Sequence, residues 1–153
     1  MRIILITVIA FLMAVGLYAA ARFNNNGDGT VTDMGTGLVW QKCSYNQSVL
    51  DCSGLAGNRT WQQALEYCRN LSLAGRSWRL PSINELKSIV EYSLYNPAIN
   101  TACFPNTQAS EYWSSTSRFD IPASALLVKF NYGSVISDQK TKNYYVRCVA
   151  DGP

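Results

Sequence analysis

Trp78-Arg79-Leu80-Pro81-Ser82-Ile83-Asn84-Glu85-Leu86 compresses a short strand, a proline stop and a helix start into nine residues. Proline lacks the N–H that a continuing strand or helix would need, so the extended stub Trp78–Leu80 must end there. Ser82 followed three residues later by Glu85 forms a capping box, in which each side chain satisfies an N–H group that the first helical turn leaves open. The helix it opens is expected over 83–93, burying Ile83, Leu86, Ile89, Val90 and Leu94 on one stripe, with Asn96-Pro97 closing it.

Working outward, a second capping box, Thr60 with Gln63, opens an upstream helix expected over 60–74, with Gly75 as its C′ residue. Trp61, Ala64, Leu65, Cys68 and Leu71 recur at i, i+3, i+4, i+7 and i+10, the spacing of one buried helical face. Before it, Asn24-Asn25-Asn26-Gly27-Asp28-Gly29 is a dense turn signal. Thr30-Val31-Thr32 and Leu38-Val39-Trp40 then alternate with a turn at 33–37, which predicts an N-terminal β-meander. Residues 41–59 form a polar loop. After residue 98 the chain is strands and loops: Tyr112 to Thr116, Leu126 to Phe130, Ser134 to Ile136, and a closing strand from Tyr144 to Val149. No repeat or low-complexity tract interrupts this order. One α+β domain is expected, two helices on a small, mostly antiparallel sheet with long loops.

Residues 1–21 have the form of a secretory signal. Arg2 supplies a positive start, Ile3 to Leu17 an apolar run, and Ala19-Ala20-Ala21 a small-residue cleavage site. The alternative is an uncleaved N-terminal anchor, for which the apolar run is short. No cysteine stands directly after the run, so lipid attachment is not expected. Residues 22–153 would then be the exported domain, at the periplasm, the cell surface or outside the cell, meeting the membrane only in transit. Its length suits a single core.

Five cysteines follow the signal: Cys43, Cys52, Cys68, Cys103 and Cys148. In an oxidising compartment they are expected to form disulfides with one left over. Cys68 lies on the apolar helix face, and Cys148 shares a strand face with Tyr144 and Val146, so both should point inward and pair. That bond closes a loop of about 80 residues, worth roughly 4.5 kcal/mol in the chain-entropy model; Cys43–Cys52 closes a short loop worth roughly 2.6 kcal/mol. Cys103 could stay free, bridge two chains, or displace Cys43 or Cys52.

The chain carries no histidine. The usual general base, the Ser-His and Cys-His pairs and most zinc sites are therefore missing, which argues against an enzyme. A formal net charge of +3, spread along the chain, does not argue for nucleic acid. Charged residues are sparse at 15% and aromatics reach 12%, with abundant Asn, Ser, Thr and Tyr, a composition suited to an extracellular surface. No cofactor is implied, and thiol metal ligation is disfavoured because no CxxC pair exists.

The motif order carries a resemblance. Asn26-Gly27-Asp28-Gly29-Thr30-Val31-Thr32-Asp33, Thr36-Gly37-Leu38-Val39-Trp40, Trp61-Gln62-Gln63-Ala64 to Cys68, Trp78 to Leu86, Phe104-Pro105-Asn106-Thr107, Tyr112-Trp113-Ser114-Ser115 and Tyr145-Val146-Arg147-Cys148-Val149 follow one another. Together they resemble the C-terminal domain of the Legionella collagen-like adhesin (Lcl). The resemblance spans essentially all of 22–153. It implies a C-type-lectin-like, formylglycine-generating-enzyme-like fold and an adhesive domain that binds glycosaminoglycans and related sulfated polysaccharides. This chain has no Gly-x-y collagen tract, so the relative's oligomeric state does not carry over.

Several candidate sites follow. Asn24, Asn26 and Asp28 fall at early positions of an EF-hand-like loop, but Gly35 stands where a bidentate Glu is required, and a plain hairpin explains the turn equally well. A lectin-type calcium site would need carboxylates that Phe104-Pro105-Asn106 and Tyr112-Trp113-Ser114-Ser115 lack. The enzymes of the resembled fold oxidise with a reactive cysteine pair, whereas Cys148 is expected in the core against Cys68. Arg79 and Arg147 are expected to pair inside the fold with Glu85, Asp33 or backbone carbonyls. The ligand surface is expected on the C-terminal loops, with Arg118, Phe119, Tyr132, Lys140, Lys142 and Asn143 offering aromatic faces and cations; Tyr112, Trp113 and Tyr144 share that half, the last two read as core. The partner would be an extracellular glycan, anionic by preference, or a protein. The alternative is a structural or accessory subunit of an envelope assembly, with Cys103 as an intermolecular bridge.

Overall fold

The computed structural model describes residues 21–152, so the signal-peptide reading lies outside the described residues except for Ala21. Among these residues, no helix is long and apolar enough to cross a membrane. The order is β1 (Phe23–Asn25), β2 (Thr30–Asp33), β3 (Val39–Gln41), β4 (Asn58–Arg59), α1 (Trp61–Asn70), α2 (Ile83–Ser88), β5 (Glu111–Ser117), β6 (Ser124–Lys129), β7 (Ser134–Gln139), β8 (Tyr144–Tyr145) and β9 (Val149–Ala150). The domain is α+β, as the patterning implies, but the strands form two sheets and not one. The first runs β1-β2-β3-β9, and the second β4-β8-β5-β6-β7. All pairings are antiparallel except β5 with β8, where Tyr112 registers against Tyr145.

The closing strand expected over 144–149 is divided between the sheets. Tyr144–Tyr145 completes the second, Val149–Ala150 pairs with Val39–Trp40 in the first, and Val146, Arg147 and Cys148 cross between them. Cys68 reaches this crossing from α1 and bonds Cys148, Cα–Cα 5.5 Å, with both residues buried. Cys43 bonds Cys52, Cα–Cα 4.9 Å, and tethers the loop before β4. Cys103 is free and half-buried.

Two apolar clusters fill the interior. Val31, Trp40, Leu86, Ile89, Phe104, Tyr112, Val128 and Phe130 form one, while Val39, Ala64, Cys68, Trp78, Leu80, Trp113 and Leu127 belong to the other. Successive residues Tyr112/Trp113 and Leu127/Val128 supply opposite clusters, so the second sheet is covered on both faces, by α1 on one and α2 on the other.

Both capping boxes form. Ser82 Oγ accepts from Glu85 N at 3.3 Å while Glu85 accepts from Ser82 N at 2.7 Å; Thr60 and Gln63 make the equivalent pair. Both helices stop earlier than their periodicity predicts, because tertiary contacts capture their ends. α1 ends at Asn70: Leu71 and Leu73 turn toward the core, and Trp78 Nε1 donates to Leu73 O at 2.9 Å. Gly75, φ +63°, therefore serves the turn after Leu73 and not a helix C′ position. α2 ends at Ser88, whose carbonyl accepts from the Arg22 guanidinium; Glu91 N then donates to Ala98 O, leaving Leu94 exposed. The Trp78–Leu80 stub is reduced to one bridge, Arg79 with Val149. Conversely β1, read in sequence as part of a turn, pairs with β2.

Asp33, expected as a partner for Arg79 or Arg147, is buried beneath Arg22 and accepts from its Nε at 3.1 Å and Nη2 at 2.9 Å. Burial pushes the Asp33 carboxyl up, but the bonds from Arg22, Gly35 N and Thr36 outweigh it and hold the group below its ordinary value. Glu85 is likewise held down, chiefly by the hydrogen bonds from Arg79. Carboxyls depressed in the folded state contribute stability above their unfolded pKa, roughly 4, and lose it as pH falls through the folded value.

Two outcomes are expected. Urea midpoints measured from pH 7 to 2 should fall below about pH 4, and Asp33→Asn should flatten that fall while lowering the neutral-pH midpoint. Cys68→Ser with Cys148→Ser should destabilise the domain by about 4 kcal/mol in the same assay, and alkylation without reductant should label Cys103 alone.

Candidate functional site

The β5–β6 loop, residues 118–123, and the β7–β8 turn, residues 140–143, meet at one end of the second sheet. Lys140 N donates to Ala123 O at 2.9 Å, and Trp61 N at the start of α1 donates to Lys140 O at 3.1 Å. Lys140 Nζ sits 4.0 Å from the centroid of the Trp61 ring and bonds Ser117 Oγ at 2.6 Å. Arg118 forms two bonds to Asp120, 2.7 and 2.9 Å, and a third to Ser137 Oγ at 3.1 Å. Lys142 Nζ lies 3.2 Å from Asp138, which also accepts from Tyr144. Burial, then that bond to Asp138, push the Tyr144 hydroxyl up to about 12. Beside these ionic groups an apolar cleft of about 350 Å³ is lined by Ile121, Ala123, Ser124, Gln139 and Thr141. Phe119 is 100% exposed on the same loop.

Five of the six expected ligand residues thus share one crown: Arg118, Phe119, Lys140, Lys142 and Asn143. Tyr132 does not. It lies in the β6–β7 turn at the opposite end of the hairpin, beside Gly133 and the exposed segment around Tyr92 and Tyr95. Gly133 (φ +77°) lets that turn close down, since a Cβ there would collide with the Val90 side chain. The two ends diverge because adjacent antiparallel strands carry successive turns to opposite edges. Tyr112 and Trp113 are fully buried, and Tyr144 is half-buried with its ring 5.0 Å from Trp113.

A second concavity escaped the sequence reading. Tyr45, Arg59, Gln63, Glu66, Tyr67 and Asn70 line an open bowl of about 420 Å³. Arg59 donates to Tyr45 Oη and stacks 4.4 Å over that ring; Tyr67 meets Tyr45 edge-on at 4.6 Å and accepts from Gln41 Nε2 at 2.7 Å. The available signal was the polar stripe Gln63, Glu66, Tyr67, Asn70 at helical spacing. Its partners come from a loop whose course sequence does not specify.

Arg79 pairs with Glu85 as expected, at 2.7 and 2.8 Å, and also with Asp151. Arg147 departs from expectation: it is buried with no carboxylate. It donates to Thr107 Oγ1 at 2.9 Å and Ser44 Oγ at 3.3 Å and lies 4.9 Å from the Phe104 centroid, its Nε and Nη1 without hydrogen-bond acceptors. Burial pulls it down to about 10, so it stays charged at neutral pH. The aromatic faces and hydroxyls of two loops hold that charge in place of an anion.

The family model of the Lcl C-terminal domain matches residues 29–150. The chain belongs to that family. A search of curated proteins gives no match. The matched span of this Lcl C-terminal domain contains both disulfides, the crown and the bowl. Its Asn-Gly-Asp-Gly turn is a hairpin bonded to itself: Asp28 Oδ1 accepts from Thr30 N and Oγ1, and Asn26 bonds Thr30 and Thr32. Among the described residues, no cluster of His, Cys, Asp and Glu is arranged to hold a metal.

Lys140 ties the crown to α1 through the Trp61 ring. Lys140→Met should lower stability by about 0.5–1 kcal/mol in chemical denaturation, the range of a partly exposed cation–π contact.

Proposed function

We propose that this Lcl C-terminal domain is an exported, non-catalytic adhesion module that grips an extracellular ligand on the crown. The observation that carries this reading is Phe119, fully exposed on the β5–β6 loop that also carries Arg118 and lines an apolar cleft, with Lys140, Lys142 and Asn143 on the adjoining turn. Burying an exposed aromatic ring against a partner removes apolar area from water, which is why such rings recur at binding hot spots. The family supports a surface role, and two disulfides suit an oxidising compartment. The lack of histidine and the core location of the paired cysteines support a non-catalytic role. The C-type-lectin-like fold is part of this reading, supported by two helices flanking sheets with long loops.

Within the crown, an anionic glycan is the ligand class the cations favour, with the sugar's apolar face on Phe119. Arg118 and Lys142 already hold Asp120 and Asp138, so a sulfate must compete with those carboxylates. Attraction to a polyanion is correspondingly moderate and salt-sensitive. A second reading, an accessory subunit of an envelope assembly, draws on Cys103, which is unpaired and half-buried. A band that shifts between reducing and non-reducing gels would favour it.

Binding to immobilised sulfated polysaccharide, measured at low and near-physiological salt, tests the adhesive reading. Phe119→Ala is expected to weaken binding by about tenfold, as for a hot-spot aromatic, and Arg118→Ala with Lys142→Ala to reduce its salt dependence. No binding at either salt would remove the anionic-glycan version, and binding indifferent to Phe119→Ala would remove the crown.

A further inference from the structure

We propose that the bowl between α1 and the loop before β4 is a second binding site, built for a neutral, hydroxyl-rich sugar ring. It shares no residue with the crown and stands on different observations. One wall is the polar face of α1, where Gln63, Glu66, Tyr67 and Asn70 sit at i, i+3, i+4 and i+7. That wall is fixed from behind, since Cys68, the neighbour of Tyr67, is bonded to Cys148 in the core. The opposite wall is Tyr45 with Arg59. Tyr45 N donates to Val146 O at 2.9 Å, its carbonyl accepts from Gly57 N at 2.8 Å, and Arg59 O accepts from Trp113 Nε1 at 2.8 Å. The Tyr45 ring lies so close to Gly57 that a Cβ there would stand 2.6 Å from it. Both walls are therefore held before any ligand arrives, which spares a ligand the cost of ordering them.

The chemistry selects the ligand. Among the described residues, neither Arg59 nor Glu66 has an ion-pair partner, although both line the bowl. The two charges are opposite and cancel, so the bowl has no net attraction for a polyanion, and Glu66 opposes a sulfate or phosphate. Glu66 accepts from Gln62 Nε2 at 3.1 Å and Arg59 donates to Tyr45 Oη, which leaves each with further positions: the carboxylate can accept from sugar hydroxyls, and the guanidinium can donate to ring and hydroxyl oxygens. The amides of Gln63 and Asn70 both donate and accept, and the part-exposed Tyr67 side chain adds apolar surface beside them. At about 420 Å³ the bowl falls within the usual range of small-ligand sites.

The test is a two-dimensional amide NMR titration of the folded domain. The probes are glucose, galactose, mannose and N-acetylglucosamine, each at about 0.15 and about 0.5 M sodium chloride to span the screening range. At least one sugar should shift the amides of Gln63, Glu66, Tyr67 and Asn70, with a Kd that changes less than about twofold with salt. Glu66→Ala and Asn70→Ala alter exposed side chains and should leave the rest of the spectrum intact while weakening binding at least about tenfold. Phe119→Ala should leave it unchanged, which separates this site from the crown. Shifts confined to the crown, no shifts with any of the four sugars, or full affinity in Glu66→Ala would each overturn the proposal.

Discussion

The Cys68–Cys148 bond is the constraint around which the rest is arranged. Its two ends are unlike: one lies on the buried face of a ten-residue helix, the other in the crossing between two sheets. Neither sheet is large, and the first is made of strands of three, four, three and two residues. Short strands contribute few ladder hydrogen bonds, and a two-residue pairing has little intrinsic stability. Joining α1 to the crossing holds β8 against β5 and β9 against β3 at once. The gain acts through the unfolded chain, which loses the freedom of a long loop.

Around that staple the molecule resolves its buried charges in two ways. Asp33 and Glu85 meet arginines in two-pronged hydrogen-bonded pairs near the surface, where the guanidinium keeps some contact with water. Arg147 lies deeper and has only hydroxyls and aromatic faces. Ser44 and Thr107 come from loops far apart in sequence, so the guanidinium also gathers the disulfide-tethered loop and the Phe104–Thr107 turn onto the crossing. A charge without a counter-ion is costly to bury, and here it is held by hydroxyls from both loops and by the Phe104 and Tyr112 rings.

Much of this was legible in the sequence, for identifiable reasons. Capping boxes depend on two residues three apart, so Ser82 with Glu85 and Thr60 with Gln63 announced both helix starts. Cysteine positions on apolar faces announced the inward orientation of Cys68 and Cys148. Helix ends were not legible because periodicity does not report what takes the terminal carbonyls and N–H groups: Leu73 O goes to Trp78 and Glu91 N to Ala98, both in the loops just beyond the helices, and Ser88 O to Arg22, far off in sequence. The single closing strand became two because alternation along Tyr144–Val149 says which face a residue takes, not which sheet. The crown was legible as a set of exposed cations and an aromatic, except for Tyr132, whose turn leaves the hairpin at its other end. The bowl was not legible, since Tyr45 and Arg59 meet the helix only through the path of an irregular loop.

The pairing of β9 with β3 sets the order in which the domain can be completed. Val39 and Trp40 pair with β2 from the start but gain their second strand neighbour only when Val149 and Ala150 have emerged, and the Cys68 thiol waits for Cys148. Contacts of such long range form late and slowly. Until β9 is delivered, the first sheet lacks one edge strand, and until Cys148 is delivered the helix α1 lacks its covalent anchor.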